Sequence, residues 1–363
     1  MEVHLAFDGG TLLLAGPEAA QLEELPGCRF DPRSATVRAE ARHYRTIVEH
    51  LRRHKIPYTD EARAYEPGDW KLRTEREAFP HQREGLEIWW KEKGRGVVVL
   101  PTGTGKTFLA ILAIAKVSRP TLVVTPTIDL LNQWYSELTL AFDVPVGLLG
   151  GGYYELQPIT VTTYDSAYLH VERWGNRYGL VVFDECHHLP GPSFLMSAIG
   201  SIAPYRLGLT ATPERTDGRH ELLYDLVGPI VYRREIKQLS GNYLAGYRVE
   251  RVYVDLGPEE KERYRIAREA YRGFVEARRI SMGGPQGWQR FLQETSRSAE
   301  GRAAFQAYRE QKKLAQAAPA KLHMLETLLA HHRDDRVLIF TADNATVYEI
   351  ARRYLVPPIT HQT

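Results

Sequence analysis

The stretch Val97 to Thr107 reads Val-Val-Val-Leu-Pro-Thr-Gly-Thr-Gly-Lys-Thr, and it constrains the fold more than any other part of the chain. A β-branched run leads into a glycine-rich turn, and a helical pattern from Phe108 to Val117 follows. That order predicts a buried strand, a phosphate-cradling loop and a helix N-terminus. Small residues let backbone N–H groups converge on phosphates, and the helix dipole adds positive potential. Pro101, Thr102, Gly103, Thr104 and Gly105 form the expected cradle. Lys106 is suited to reach the β/γ-phosphates of a nucleotide, and the Thr107 hydroxyl to hold Mg²⁺. Leu100 stands where the strict pattern has glycine.

A second buried-strand pattern, Leu180-Val181-Val182-Phe183, ends in Asp184-Glu185-Cys186-His187-His188. Ligands of parallel α/β sheets sit at the carboxyl ends of strands. Two acids there suit metal-assisted hydrolysis, with Asp184 in the Mg²⁺ shell and Glu185 orienting or deprotonating the attacking water. Taken alone, the same string also fits a polar turn capping a strand. Metal ligation by Cys186, His187 and His188 is disfavoured, because adjacent residues cannot all point at one ion. The third motif, Leu207-Gly208-Leu209-Thr210-Ala211-Thr212-Pro213, is a short strand running into a hydroxyl-rich turn. Thr210 and Thr212 are within reach of hydrogen bonding to the acidic motif and of relaying nucleotide state.

In series these motifs match superfamily 2 helicases and translocases. The chain further resembles the compact archaeal-type XPB helicases over its whole length. The resemblance is carried by Thr163-Tyr164-Asp165-Ser166-Ala167-Tyr168, Asp184 to Pro190, Ile202 to Leu209, Asp217-Gly218-Arg219-His220-Glu221 and Ile359-Thr360-His361. It implies an ATP- and Mg²⁺-dependent motor that opens duplex DNA in repair, monomeric, cytoplasmic and nucleoid-associated, with a possible nuclease partner. Gln82 stands at the family's adenine-reading glutamine, and Phe79 stands where an arginine often accompanies it. The resemblance gives His187, Thr210 and Thr212 a coupling role, and brings Thr127 and Thr163 to the nucleic-acid backbone. A short strand-separating element reads Arg215-Thr216-Asp217 here; its middle acid is absent, so Arg215 and Asp217 alone carry over.

Rhythm along the chain predicts an α/β fold. Residues 1–68 form a small α/β domain, either the damage-recognition domain that the resemblance implies or a structural add-on packed against the motor; Val3 to Phe7 and Thr11 to Ala15 make a hairpin around Asp8-Gly9-Gly10, and helices follow near Pro17 to Leu25 and Arg42 to His54. Residues 69–240 alternate strands (97–100, 121–125, 159–162, 180–183, 206–209, 230–233) with helices, the pattern of a RecA-like parallel sheet. Residues 241–363 begin a second, incomplete RecA-like lobe. Its strand Arg336 to Thr341 is expected to be buried, and residues 258–318 read as amphipathic helices around Gly283-Gly284-Pro285, which the resemblance makes a thumb-like insertion.

Overall charge is only +2, too small to mark a nucleic-acid binder. Charge is nevertheless local: residues 258–318 hold 13 Lys and Arg against 8 Asp and Glu, a difference of +5. With Tyr264, Tyr271, Phe274 and Trp288 interleaved, this favours DNA contact, with Arg278 and Arg279 the chosen basic pair. No apolar run approaches the roughly 20 residues that cross a bilayer, and Cys28 and Cys186 give no disulfide framework. The family's arginine-finger motifs do not occur before Thr363, so this chain by itself is expected to turn ATP over weakly. That leaves open a DNA-binding or nuclease-docking module with nucleotide affinity, and, within enzymes, an RNA helicase or restriction-type translocase subunit.

Overall fold

A computed structural model describes residues 2–16, 23–25, 27–214, 218–241, 243, 246, 248–282 and 287–360. Two compact units result, residues 1–247 and 248–363.

The first unit opens with a five-stranded sheet: β1 (Val3–Asp8), β2 (Thr11–Ala15), β3 (Cys28–Asp31), β4 (Thr36–Glu40) and β5 (Tyr58–Asp60), in the order β3-β4-β2-β1-β5. Asp8 pairs with Thr11, so two residues close the β1–β2 hairpin, and Gly9 and Gly10 both take positive φ. A two-residue turn with left-handed residues at both centres matches the strand twist, and glycine supplies that conformation without strain. Helix α1 (Tyr44–Arg53) turns Tyr44, Ile47, Val48 and Leu51 onto Val3, Leu5, Leu12 and Leu14. Ile202, from the following α/β domain, is buried in the same cluster. Arg45 donates across the junction to the carbonyls of Lys93 (2.7 Å) and Pro204 (3.0 Å). The small sheet therefore shares apolar core with its neighbour. Of the predicted helix near Pro17 to Leu25, residues 17–22 lie outside the described residues.

The rest of the unit alternates as α2 (Pro80–Lys91), β6 (Arg95–Val99), α3 (Lys106–Val117), β7 (Thr121–Thr125), α4 (Ile128–Ala141), β8 (Val146–Gly150), β9 (Tyr153–Tyr154) and β10 (Ile159–Thr163). It continues with α5 (Tyr164–Leu169), α6 (Val171–Trp174), β11 (Leu180–Asp184), α7 (Leu195–Ile199), β12 (Tyr205–Thr210), α8 (Leu222–Leu226), β13 (Ile230–Arg233) and α9 (Ile236–Leu239). Strand order is β13-β6-β12-β11-β7-β10-β8-β9, and every pairing is parallel except β8 with β9. Strands β7, β10 and β11 are buried along their whole length, because helices cover both faces of a parallel sheet. The six predicted strands are present; β8 and β9 were not foreseen. Gly147 and Gly150 interrupt the apolar run of β8, and β9 has only two residues.

The second unit contains α10 (Pro258–Ala277), α11 (Gly287–Ser296), α12 (Ala299–Ala317), α13 (Pro319–His331) and α14 (Asn344–Tyr354). Phe274, Ile280, Phe291 and Ala304 make its core; the glycine-proline break at 283–285 lies outside the described residues. One expectation is overturned. Residues 336–341 are not a buried strand: Val337, Leu338 and Phe340 are 45%, 73% and 90% exposed and no strand is assigned there. A strand exists only through its ladder, and no described strand of this unit pairs with the segment.

Arg206, 1% exposed on β12, fastens the sheet to its surroundings by donating to the carbonyls of Ser201 (2.7 Å), Ala203 (3.2 Å) and Leu226 (2.5 Å). Burial and the neighbouring Arg95 and Arg42 charges press its pKa downward. Arg206→Leu leaves these acceptors unsatisfied in the interior; at about 1–3 kcal/mol for a stranded buried group, urea unfolding should report a loss of at least ~2 kcal/mol. A midpoint within error of the unsubstituted protein would refute the bracing role.

Candidate functional site

Strand order brings the three sequence motifs together. β12 lies between β6 and β11, so the carboxyl ends of three adjacent strands carry the glycine-rich loop, the Thr-Ala-Thr turn and the acidic motif. The ladder fixes their heights: Val99 is level with Thr210, and Leu209 with Asp184. The Leu100 N–H donates to Thr210 O at 3.0 Å, carrying β6–β12 pairing to the loop's first residue.

Gly103 and Gly105 take φ of 83° and 79°. A Cβ on Gly105 would lie 2.3 Å from Gln82 Nε2, so only glycine fits there. The Thr104 hydroxyl donates to Pro101 O at 2.7 Å and closes the loop on itself. From behind, Gln82 Nε2 donates to Thr104 O (3.0 Å) and Gly105 O (3.1 Å), while His81 Nε2 lies 2.9 Å from Thr104 O. Lys106 begins α3, donating to Leu100 O at 3.1 Å, with its ammonium 3.9 Å from Glu185 Oε1. Thr102 is exposed beside Gly103, and Thr107 is half-buried one residue beyond Lys106.

Asp184 and Glu185 are neighbours with opposite electrostatics. Asp184 is buried; its Oδ2 accepts the Trp134 indole N–H at 2.7 Å, and Oδ1 accepts the Glu185 N–H at 3.0 Å. Burial, with the adjacent Glu185 charge, lifts its pKa above the usual carboxylate range, against the lowering effect of the indole. Glu185 is held below its usual range, chiefly by His187 and also by Lys106 and Thr210. Its Oε2 accepts the Thr210 hydroxyl at 3.3 Å and lies 3.4 Å from His187 Nδ1, which is 3.0 Å from Thr210 Oγ1. The Thr212 N–H donates to Thr210 Oγ1 at 3.2 Å. Glu185 also has φ of 45°, the left-handed conformation a non-glycine residue adopts only when its surroundings impose it. Cys186 is fully buried, its thiol pushed up by burial, with its Sγ 3.0 Å from the Cβ position of Gly208. It fills space beneath the acids.

This donor set fits a nucleotide triphosphate with a divalent cation. Left-handed glycines free backbone N–H groups at a helix N-terminus, a lysine stands beside them, and a threonine hydroxyl and a buried carboxylate are the hard oxygen ligands such an ion takes. Two participants escaped sequence reading. Trp134 and Tyr164, whose hydroxyl donates to Asp184 O at 3.0 Å, sit on helices where an aromatic reads as core.

Thr127 and Thr163 cap α4 and α5, their hydroxyls accepting the N–H groups of Leu130 and Ser166 at 3.3 Å. Arg215 and Asp217 lie outside the described residues. On the helical unit, Arg278 faces Glu294 and Glu300 at 3.6 Å, and Arg279 is exposed at the end of α10. Arg263, Arg265, Arg272 and Arg297 likewise face carboxylates. Arg309, Lys312 and Lys313 have no carboxylate partner among the described residues. They line a cleft of about 930 Å³ with Trp288, Tyr308 and Arg352, together with Glu310, Asp343 and Glu349. Glu310 is neutralised by Arg263, and Asp343 caps α14. No helix among the described residues is long and apolar enough to cross a membrane.

A glycine-rich phosphate loop, an acidic strand end and a hydroxyl relay on adjacent parallel strands define the motor lobe of a superfamily 2 helicase. Residues 75–215 match the type III restriction enzyme res subunit family, and residues 5–62 match the xeroderma pigmentosum group B helicase damage recognition domain. The chain is 40% identical over 283 residues to the DNA 3′-5′ translocase XPB2 of Sulfurisphaera tokodaii, covering 78% of this chain and 64% of that protein. It is 36% identical over 212 residues to the DNA 3′-5′ helicase XPB of Kineococcus radiotolerans, covering 55% and 37%. It is 27% identical over 207 residues to the general transcription and DNA repair factor IIH helicase/translocase subunit XPB of Danio rerio, covering 51% and 26%. The chain thus spans less than two thirds of the length of each of these relatives. It belongs to the XPB helicase family.

The Trp134 indole stabilises the ionised form of Asp184. Trp134→Phe removes that donor while keeping a ring, so the Asp184 carboxyl should titrate at higher pH than in the unsubstituted protein. Carboxyl ¹³C shifts followed against pH check this; an unmoved or lowered midpoint refutes it.

Proposed function

We propose that the chain forms the nucleotide-binding part of an ATP-driven translocase on duplex DNA that opens DNA for repair. The observation that carries this reading is the convergence of Lys106, Asp184, Glu185, His187 and Thr210 on the loop Pro101 to Gly105. The 3′-5′ sense is taken from the names of the relatives. Pro101 to Lys106 would hold the phosphates of ATP, and Thr107 and Asp184 would hold Mg²⁺, which when bound screens phosphate charge and polarises the terminal phosphoryl group. Glu185, ionised through His187, Lys106 and Thr210, is the base toward attacking water. Thr210 couples the acid to Thr212 and the turn beyond it, the route by which hydrolysis reaches the polymer-binding surface.

Lys106→Ala removes a point charge from a loop, not a core side chain, and should abolish ATP binding in calorimetry with the fold intact. Glu185→Gln keeps size and hydrogen bonding but loses the base. It should bind ATP normally, and hydrolysis in a relative carrying both motor lobes should fall by at least about a hundredfold. Undiminished ATP affinity in the first variant, or surviving turnover in the second, counts against these roles.

The groups assigned to DNA are the capped ends of α4 and α5 at Thr127 and Thr163, Arg279, and the uncommitted cations Arg309, Lys312 and Lys313. The uncommitted cations count for more than Arg278, whose charge is already met by Glu294 and Glu300. A nuclease partner and a monomeric state accompany the reading through the family. Replacing Arg309, Lys312 and Lys313 by Gln should weaken duplex binding alike across sequences and flatten the log–log salt slope by roughly 0.9 for each phosphate no longer neutralised, while Arg278→Gln changes it little. A slope unmoved by the triple substitution places the grip elsewhere. Tighter binding of double-stranded RNA in the same titration favours an RNA helicase.

A further inference from the structure

Three of the four hydrogen-bonding positions of the Gln82 amide are spent inside the protein. It is fully buried; Nε2 donates to Thr104 O and Gly105 O, and Oε1 accepts the Phe79 N–H at 3.0 Å. Its planar amide joins the start of α2 to the back of the phosphate loop, and His81, also buried, adds a second contact to Thr104 O. Together they set the loop's shape, which makes Gln82 a positioning residue acting through the backbone.

A different side chain stands free at the same place. Arg76 precedes α2 and is exposed, with its guanidinium over the Phe108 ring, 4.5 Å from the centroid. Its Nη2 lies 3.4 Å from the Cβ position of Gly105, the residue that caps α3. Among the described residues its guanidinium meets neither a carboxylate nor a hydrogen-bond acceptor. Phe108 is 2% exposed and fixed in the core, so the cation rests on a rigid platform. A planar cation anchored on an aromatic ring at the edge of a phosphate loop, with its donors unspent, is suited to stack against a flat ligand. Phe79, where the family often has arginine, is 40% exposed and contributes a ring, not a charge.

We propose that Arg76 is a nucleobase-contacting residue of this site, supplying from three residues upstream the guanidinium that position 79 lacks, while Gln82 also braces the loop. This rests on the nucleotide-binding reading of the loop. Every base offers a π-face, so the guanidinium platform by itself holds ATP and GTP similarly.

The test titrates the full chain with ATP, GTP and inorganic tripolyphosphate in calorimetry, using Arg76→Ala and Arg76→Lys, with thermal melts to verify folding. Lysine keeps the charge but loses the plane. Both variants should weaken ATP and GTP about five- to thirtyfold, the upper part of the range of a cation–π contact, leave the ATP-to-GTP ratio unmoved, and leave tripolyphosphate within about twofold. Unchanged ATP affinity in Arg76→Ala overturns the proposal, as does a parallel loss of tripolyphosphate, which would make Arg76 a phosphate ligand. Near-normal binding in Arg76→Lys also overturns it. If the unsubstituted chain binds neither ATP nor tripolyphosphate, the phosphate-loop reading itself fails, a result separable from the other three.

Discussion

The position of β12 between β6 and β11 is the constraint on which the site depends. Parallel pairing in this order sets three chain segments, more than a hundred residues apart in sequence from first to last, at one height along neighbouring strands. Lys106 and Glu185 then meet because Val99 is level with Thr210 and Leu209 with Asp184, without any loop having to reach. A slip of one residue in either ladder would turn each side chain to the opposite face. Strands buried along β11, and along β6 and β12 beyond their first residue, make that slip costly, since each carries apolar residues inward on both faces.

Within that frame the two adjacent acids differ through their surroundings. Asp184 is buried against the Trp134 indole, and burial with the Glu185 charge raises its pKa. Glu185 is turned outward by a left-handed backbone and meets Lys106, His187 and Thr210, which keep it ionised. In the proposed reading the first carboxylate would hold the cation and the second act as base, the division of labour that metal-assisted phosphoryl hydrolysis requires. The left-handed turn at Glu185 produces it: it points consecutive side chains into different environments, where extended backbone would merely alternate them across the sheet.

Legibility in sequence followed the range of the physics. The phosphate loop, the acidic strand end and the six main strands could be read because each is a local pattern with a local cause: β-branched runs, glycines where φ must be positive, a lysine at a helix start. The hairpin at Gly9-Gly10 was legible for the same reason. Trp134 was not, because an aromatic on an apolar helix face looks the same whether its N–H meets a carboxylate or nothing. The commitment of Gln82 to the loop, and of Arg278 to Glu294 and Glu300, likewise depends on partners distant in sequence or set by helix packing. The segment 336–341 erred in the other direction. Its apolar run has strand composition, but composition supplies one strand and a ladder needs two.

The small N-terminal sheet has a mechanical consequence. Ile202, buried in that sheet's core, sits three residues before β12, and β12 ends at Thr210, the hydroxyl that touches Glu185. Arg206 on the same strand is fixed by the carbonyls of Ser201 and Ala203 on one side and Leu226 on the other. One short stretch, 201–210, therefore runs from the core of the N-terminal domain, through a buried three-point anchor, to the hydroxyl relay of the candidate site. An element braced at this many points transmits displacement better than a loop would, because packed interiors resist deformation. The two domains need no hinge signal between them: the strand that positions the relay begins in contact with the N-terminal core.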